Sequence, residues 1–395
     1  MMRYLKISIK VSLLSFLFLF SIKGFSQPDS CNLRISLLTC TPGEDLYSTF
    51  GHSAIRITDT VSHRDVVYNY GTFNFEEPGF YTKFIRGKLT FYISTEEFNS
   101  FLYSYQYDNR GITEQVLNLT CAEKYNLLLL LQTNLMPQNR YYKYDFTFDN
   151  CTTRLRDLLE KATAYKVHFP EILHKEATFR DLIYEYLNYN DKQWSKLGID
   201  ILLGSRLDVQ MKPREVMFLP DYLMIGFDSA TVDGRNLVYE KNKLIDTDTN
   251  AKGRHLLTDP IFIFAFLFLL IVILSFSKNN FVKRTLIAFD GFLLFVTGLL
   301  GFLIIFMWTG TDHLMTKDNY NLLWAWPTNV IAAFYIHAKK QAAIRYFFLY
   351  ALFILLLFIC WFNLPQHLNP ALMPVMGILI FRSLYYVFRQ YKTKI

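Results

Sequence analysis

The chain has 395 residues, 52% of them hydrophobic and 17% aromatic, with a formal net charge of +7. That length allows two domains of ordinary size. The excess of base does not point to nucleic acid: Lys278, Lys283, Arg284, Lys339, Lys340, Arg345, Arg389, Lys392 and Lys394 lie in short segments between or after apolar runs, where bases set membrane topology, and no basic stripe with interleaved aromatics precedes them.

At the N-terminus Arg3, Lys6 and Lys10 lead into an apolar stretch, Val11 to Ile22, followed by Gly24-Phe25-Ser26. This reads as a secretory signal peptide, residues 1–26, cut before Gln27; an uncleaved anchor is the alternative and leaves the topology unchanged. Residues 27–258 then read as a mixed globular domain. The composition shifts at Asp259-Pro260, and residues 259–395 are dominated by five apolar segments, about 260–276, 286–308, 322–336, 344–362 and 371–388. A span needs ~20 apolar residues, with ~17 as the lower limit. The third segment is short and holds Pro327, so a re-entrant course is the alternative there. The connectors Ser277–Thr285 and His337–Arg345 are basic without acid and are expected in the cytoplasm. Thr309–Asn321 and Asn363–Pro370 carry few bases and are expected outside, on the same side as residue 27 onward.

Within the globular part, Leu33, Ile35, Leu37 and Leu38 suggest a strand. Phe50-Gly51-His52-Ser53-Ala54-Ile55-Arg56-Ile57 alternates and suggests a second, with His52 near its start. Val66-Val67-Tyr68-Asn69-Tyr70-Gly71 reads as a third, in hairpin relation across Asp59–Arg64, with Asn69 opposite in face to Tyr68 and Tyr70. Asp149 or Asn150 is a good N-cap for a helix whose apolar face is Leu155, Leu158, Leu159 and Ala162, which puts Cys151 in its first turn. The macrodipole and free N–H groups there lower a thiol pKa and suit an oxyanion; a histidine on a neighbouring strand can serve as the base. A buried cysteine is more often inert, and a lone histidine more often structural. The polar neighbours Asn150 and Thr152 keep the Cys151–His52 site open as a candidate. Cys40 is the rival nucleophile, but it follows a strand and has no helix dipole. Cys31 and Cys40 are close enough in sequence to be bridged, which spacing alone does not decide. No Cys/His pattern has zinc spacing, and no nucleotide motif is present, so neither metal nor cofactor is expected.

Arg110, Arg140 and Arg154 are candidates for lipid phosphate, since guanidinium pairs with it bidentately; a solvated surface is the plainer reading of each. Asn150 is a cap or a substrate contact. Residues Gly198 to Leu223 are unusually apolar, which fits either core or a surface lying on the membrane. Asp233-Gly234 marks a hairpin turn.

The stretches Leu37-Leu38-Thr39-Cys40-Thr41-Pro42-Gly43, Phe50-Gly51-His52-Ser53-Ala54-Ile55-Arg56, Tyr68-Asn69-Tyr70-Gly71-Thr72-Phe73 and Asp149-Asn150-Cys151-Thr152-Thr153 resemble the N-terminal periplasmic domain of the Bacteroidota-type lipoprotein N-acyltransferase (Lnb-like) family. Thr311-Asp312-His313 and Asn319-Tyr320-Asn321-Leu322-Leu323-Trp324 resemble that family's outer loop. The resemblance implies an α+β fold: a permuted papain-like (NlpC/P60-like) extracytoplasmic domain, followed by a transmembrane bundle of five helices. It implies Cys151 as nucleophile, His52 as base and Asn69, on the next strand, as the third polar group. It also brings His313 in as a candidate substrate contact. The implied activity is transfer of an acyl chain from a phospholipid, through a cysteine thioester, to the N-terminal amine of a diacylated lipoprotein at the bacterial inner membrane. Two rivals stand beside it: a cysteine amidase or peptidase acting on cell-wall peptides, and a non-enzymatic membrane assembly factor.

Overall fold

The computed structural model describes residues 31–392 apart from 174, 248–252, 337 and 339; the expected signal peptide lies outside the described residues. In chain order the elements are β1 (Leu33–Cys40), β2 (His52–Asp59), β3 (Arg64–Thr72), α1 (Phe80–Ile85), β4 (Thr90–Glu97), α2 (Phe98–Tyr107), β5 (Ile112–Leu117), α3 (Cys121–Leu135), β6 (Tyr141–Lys143), α4 (Cys151–Ala162) and β7 (Val167–His168). There follow α5 (Phe179–Tyr189), α6 (Gln193–Leu202), α7 (Pro220–Ser229), β8 (Thr231–Val232), β9 (Arg235–Asn236) and β10 (Val238–Ile245). The membrane part contributes α8 (Pro260–Ser275), α9 (Asn280–Thr309), α10 (Asn329–Ala332), α11 (Gln341–Ile359) and α12 (Leu372–Lys392).

A seven-stranded antiparallel sheet in the order β10-β5-β1-β2-β3-β4-β6 forms the first domain. Its two faces follow from the period of two along each strand. Leu33, Ile35 and Leu37 pack with Leu131 of α3 and Leu155 and Leu159 of α4. Leu38, Cys40, Ala54 and Val67 point the other way, against Phe98 and Phe101 of α2. β1 is covered on both faces, and every one of its residues except Arg34 is buried. The β2–β3 hairpin closes at Asp59↔Arg64. Asp233 and Gly234, with φ of 47° and 78°, connect β8 to β9 in the left-handed conformation that a tight hairpin turn requires. None of the five cysteines is in a disulfide; Cys31 precedes and Cys40 ends an extended eight-residue strand, which holds the two too far apart to be bridged.

The membrane part differs from five plain helices. Among the described residues three helices are long and apolar enough to span: α9, α11 and α12. α8 is apolar but has 16 residues. The segment expected over 322–336 is broken into a 3-10 turn, Tyr320–Leu323, and the four-residue α10, with Pro327 between them. Proline lacks the N–H that would continue a helix. This irregular stretch runs antiparallel along α9, where glycines let its backbone approach: Gly301 faces the Ala325 carbonyl and Pro327, Gly298 faces Val330, and Gly291 faces the Ala333 carbonyl. Asn329 within it is fully buried and donates to Tyr350 Oη at 2.8 Å. Irregular backbone at membrane depth is tolerated where it is enclosed by protein in this way.

Arg382 of α12 grips Asp290 of α9 bidentately at 2.7 and 2.6 Å and also donates to Ser275 Oγ at 2.7 Å. Both charges are buried. Arg382→Leu takes the guanidinium away from the buried Asp290 carboxylate and is expected to cost about 3–5 kcal/mol, read as a lower thermal midpoint in detergent. The double variant with Asp290→Leu should recover most of that loss; no recovery would mean the pair is not what holds these helices.

The two parts are joined by more than their linker. Asp200, at the end of α6, is fully buried. Its carboxylate takes Arg180, Tyr184 Oη at 2.8 Å and Asn369 Nδ2 at 2.7 Å, and its carbonyl takes Asn321 Nδ2 at 2.7 Å. Gly204 N–H donates to the Met315 carbonyl at 2.7 Å, and Ser205 N–H to that of Asp318 at 3.0 Å. The apolar run Gly198–Leu223 is therefore divided. Leu207, Met217, Phe218, Leu219 and Leu223 are core, while Ile201, with Leu197 just before the run, packs into the membrane domain's core near Trp324.

Candidate active site

Asn150 ends the extended segment before α4 and caps it. Its Oδ1 accepts from the N–H groups of Thr152 and Thr153 at 2.9 and 2.8 Å, and its Nδ2 donates to the carbonyls of Phe146 and Phe218 at 2.7 and 2.8 Å. This uses all of the amide's capacity on backbone, so Asn150 is a structural cap, not a substrate contact. It also occupies two of the helix-terminal donors expected to serve an oxyanion. The N–H of Cys151 itself is the remaining candidate there.

Cys151, the first residue of α4, is half-buried. Its thiol faces His52, which stands at the first position of β2, closely enough for each to shift the other's pKa. His52 Nε2 lies 3.1 Å from Asn69 Oδ1 on β3, and Asn69 Nδ2 donates to Glu96 Oε1 on β4 at 2.8 Å. The orientation of the whole chain follows from Glu96. A carboxylate accepts only, so the NH₂ of Asn69 faces it and the oxygen faces His52. His52 Nε2 then carries a proton, and Nδ1 is left for the thiol. The structure thus brings Cys151, His52 and Asn69 together and adds Glu96, which the sequence reading missed. The signal lay in the register: Asn69 pairs with Ser94, and Glu96 is two residues along on the same face.

Burial by itself would push the Cys151 thiol up. The charge and hydrogen bond of His52, with the N–H of Ser53 and the hydroxyl of Thr152, outweigh it and bring the thiol from 9.0 down to about 7. Burial would likewise lower His52, but the facing thiolate and the Asn69 hydrogen bond hold it above its ordinary value. Each group therefore favours the other's charged form. Cys40 sits directly across from His52 in the β1–β2 pairing, yet burial pushes it up to about 12, so it stays a thiol. The pH dependence follows. Labelling of Cys151 by iodoacetamide should rise as pH climbs through about 7, since the thiolate is the reactive form. In His52→Ala, with burial less opposed, the rise should move to distinctly higher pH. A profile unaffected by the substitution would contradict the pairing.

The other candidates are held by partners of their own. Arg154 pairs bidentately with Asp149 at 2.6 and 2.8 Å and lies 3.5 Å over the Tyr142 ring; a phosphate there would have to displace a carboxylate. Arg140 donates to the Ile93 carbonyl at 3.0 Å and covers Tyr92. Arg110 donates to the Thr41 carbonyl at 3.0 Å, over Tyr105. His313 is not a member of the Cys–His–Asn–Glu chain; its Nε2 meets the Phe84 carbonyl of α1 at 2.9 Å. Gly71, with φ of 86°, is where β3 passes the nucleophile: a side chain there would begin 3.7 Å from Cys151 Cβ and 3.8 Å from the ring of Tyr144. Among the described residues no three His, Cys, Asp or Glu side chains gather to hold a metal.

Residues 25–185 match the family model of the Lnb N-terminal periplasmic domain, and residues 252–394 match that of the Lnb transmembrane domain. No curated protein and no solved structure matches the chain.

Proposed function

The chain belongs to the Lnb family, with the periplasmic and membrane domains in one polypeptide, and on that premise we propose that it is a cysteine-dependent lipoprotein N-acyltransferase. The observation that carries the reading is the Cys151 thiol, brought to about 7 beside a histidine fixed by Asn69 and Glu96. The Cys151 thiolate attacks an ester carbonyl of a phospholipid in the outer leaflet, with the N–H of Cys151 facing the developing oxyanion. The C–O bond breaks, and His52 returns the proton to the departing lysophospholipid. The acyl group stays on sulfur as a thioester. The α-amine of a diacylated lipoprotein's N-terminal cysteine then attacks, loses a proton to His52, and leaves as the amide while the C–S bond breaks.

We place the protein in the bacterial inner membrane, crossing it five times, with the irregular 322–336 segment as one crossing. We read the periplasmic domain as a permuted papain-like fold: a histidine strand precedes a cysteine helix packed on an antiparallel sheet. The reading assigns no cofactor and no nucleic-acid partner.

Mass analysis of the Cys151 peptide from protein purified out of membranes is the test. The expected result is an acyl increment that neutral hydroxylamine removes. An unmodified Cys151 throughout incubation with phospholipid would overturn the mechanism in favour of a peptidase or a non-enzymatic role.

A further inference from the structure

α1 is six residues long and poor at hiding its apolar side chains: Tyr81 is 74% exposed and Phe84 53%. Ile85 and the preceding Phe75 are also exposed. Aromatic rings left in this way mark an interaction surface. The position of α1 says which one. Its carbonyls at Phe84 and Arg86 are taken by His313 Nε2 and by the N–H of Asp312, at 2.9 and 3.0 Å. Asp312 follows the end of the spanning helix α9, Thr309, by three residues, a reach of at most about 10 Å. α1 therefore stands at the level where α9 leaves the bilayer, where aromatic residues partition. Its charges are mixed: Lys83 pairs with Glu77, Lys143 with Asp312 at 2.5 Å, and Arg86 and Lys88 follow exposed.

The rings continue inward from this surface. Phe84 stacks with Phe80 at 6.3 Å, and Phe80 meets Phe75 and Phe73 at 5.0 and 5.9 Å. Phe73 meets Phe91 at 5.2 Å, and Phe91 stacks on Tyr144 at 4.4 Å. Tyr144 in turn borders the gap kept open by Gly71 beside Cys151.

We propose that α1 dips into the outer leaflet and that this line of rings is the path by which an acyl chain of a bilayer phospholipid reaches Cys151. The path rests on the acyltransfer reading; the membrane contact of α1 does not. The rings offer an apolar surface to the chain, and Arg86 and Lys88 lie where a lipid phosphate would be left behind.

The test uses the full chain in liposomes of phosphatidylethanolamine and phosphatidylglycerol, with p-benzoylphenylalanine placed at Tyr81, at Phe75 or, as a control, at Tyr239 on β10 at the opposite edge of the sheet. Irradiation should attach phospholipid at 81 and 75 but not at 239. Equal labelling at all three, or none at 81, would overturn the membrane contact. Phe84→Asp should slow acylation of Cys151 from bilayer phospholipid by about tenfold or more, while acylation from water-soluble p-nitrophenyl butyrate persists. Tyr239→Asp should change neither. Equal rates for Phe84→Asp and the unsubstituted protein with bilayer phospholipid would overturn the path. If neither donor acylates Cys151 in the unsubstituted protein, the acyltransfer reading and the path fall together, and the cross-linking still decides the place of α1.

Discussion

Cys151→Ala is expected to lose lipoprotein N-acylation entirely, a fall on the order of 10⁴-fold or more, because removing a nucleophile leaves only binding and oxyanion contributions. The protein should still accumulate in the membrane, since the cap on α4 is made by Asn150 and the buried face by Leu155, Leu158 and Leu159, none of which the substitution touches. Cys40→Ala should lose far less activity, because a thiol held up at about 12 by burial supplies no nucleophile near neutrality. The measurement is acyl transfer to a diacylated lipoprotein by purified variants of equal membrane yield. Substantial residual transfer in Cys151→Ala would remove the cysteine mechanism.

His52→Ala should be nearly as severe, and the double variant with Cys151→Ala no worse than either alone, because residues acting as one unit are not additive. A double variant far slower than both would mean that they act separately. Glu96→Ala should act through Asn69. Without the carboxylate the Asn69 amide is free to turn and present its NH₂ to His52 Nε2, which favours the wrong tautomer. The loss should fall mainly on kcat, and Glu96→Gln, whose side-chain oxygen still accepts from Asn69 Nδ2, should restore most of it. A purely structural role for Glu96 would instead lower stability without that rescue.

Local signals carried much of this. The hairpin that sets His52 near Asn69 is written in the alternation on either side of Asp59–Arg64, and the start of α4 is written in Asn150 and the Leu155–Ala162 face, because both depend on residues close in sequence. Asp259-Pro260 marks the start of α8 for the same reason. Glu96 was not legible: its partner is 27 positions away, and only the β3–β4 register brings them together. Nor was the role of α6, since the buried Asp200 looks like any acid in a helix until Asn321 and Asn369 arrive from loops beyond 100 residues downstream. Residues 322–336 read as a span by hydropathy, with their shortness and Pro327 leaving a re-entrant course open; the structure breaks the helix at that proline. His313, expected from the outer-loop resemblance as a substrate contact, packs on α1 through the Phe84 carbonyl, a contact 229 positions away that no local signal shows.

The most direct test of the account is a pulse-chase on the reconstituted protein. Phospholipid carrying a radiolabelled acyl chain is supplied first, excess donor is removed, and unlabelled diacylated lipoprotein is added. The account predicts label on Cys151 in a hydroxylamine-labile bond, which then leaves at the rate at which it appears as an amide on the lipoprotein's N-terminal cysteine. Label that reaches the lipoprotein without passing through Cys151, or that stays on Cys151 when the lipoprotein is present, would contradict it.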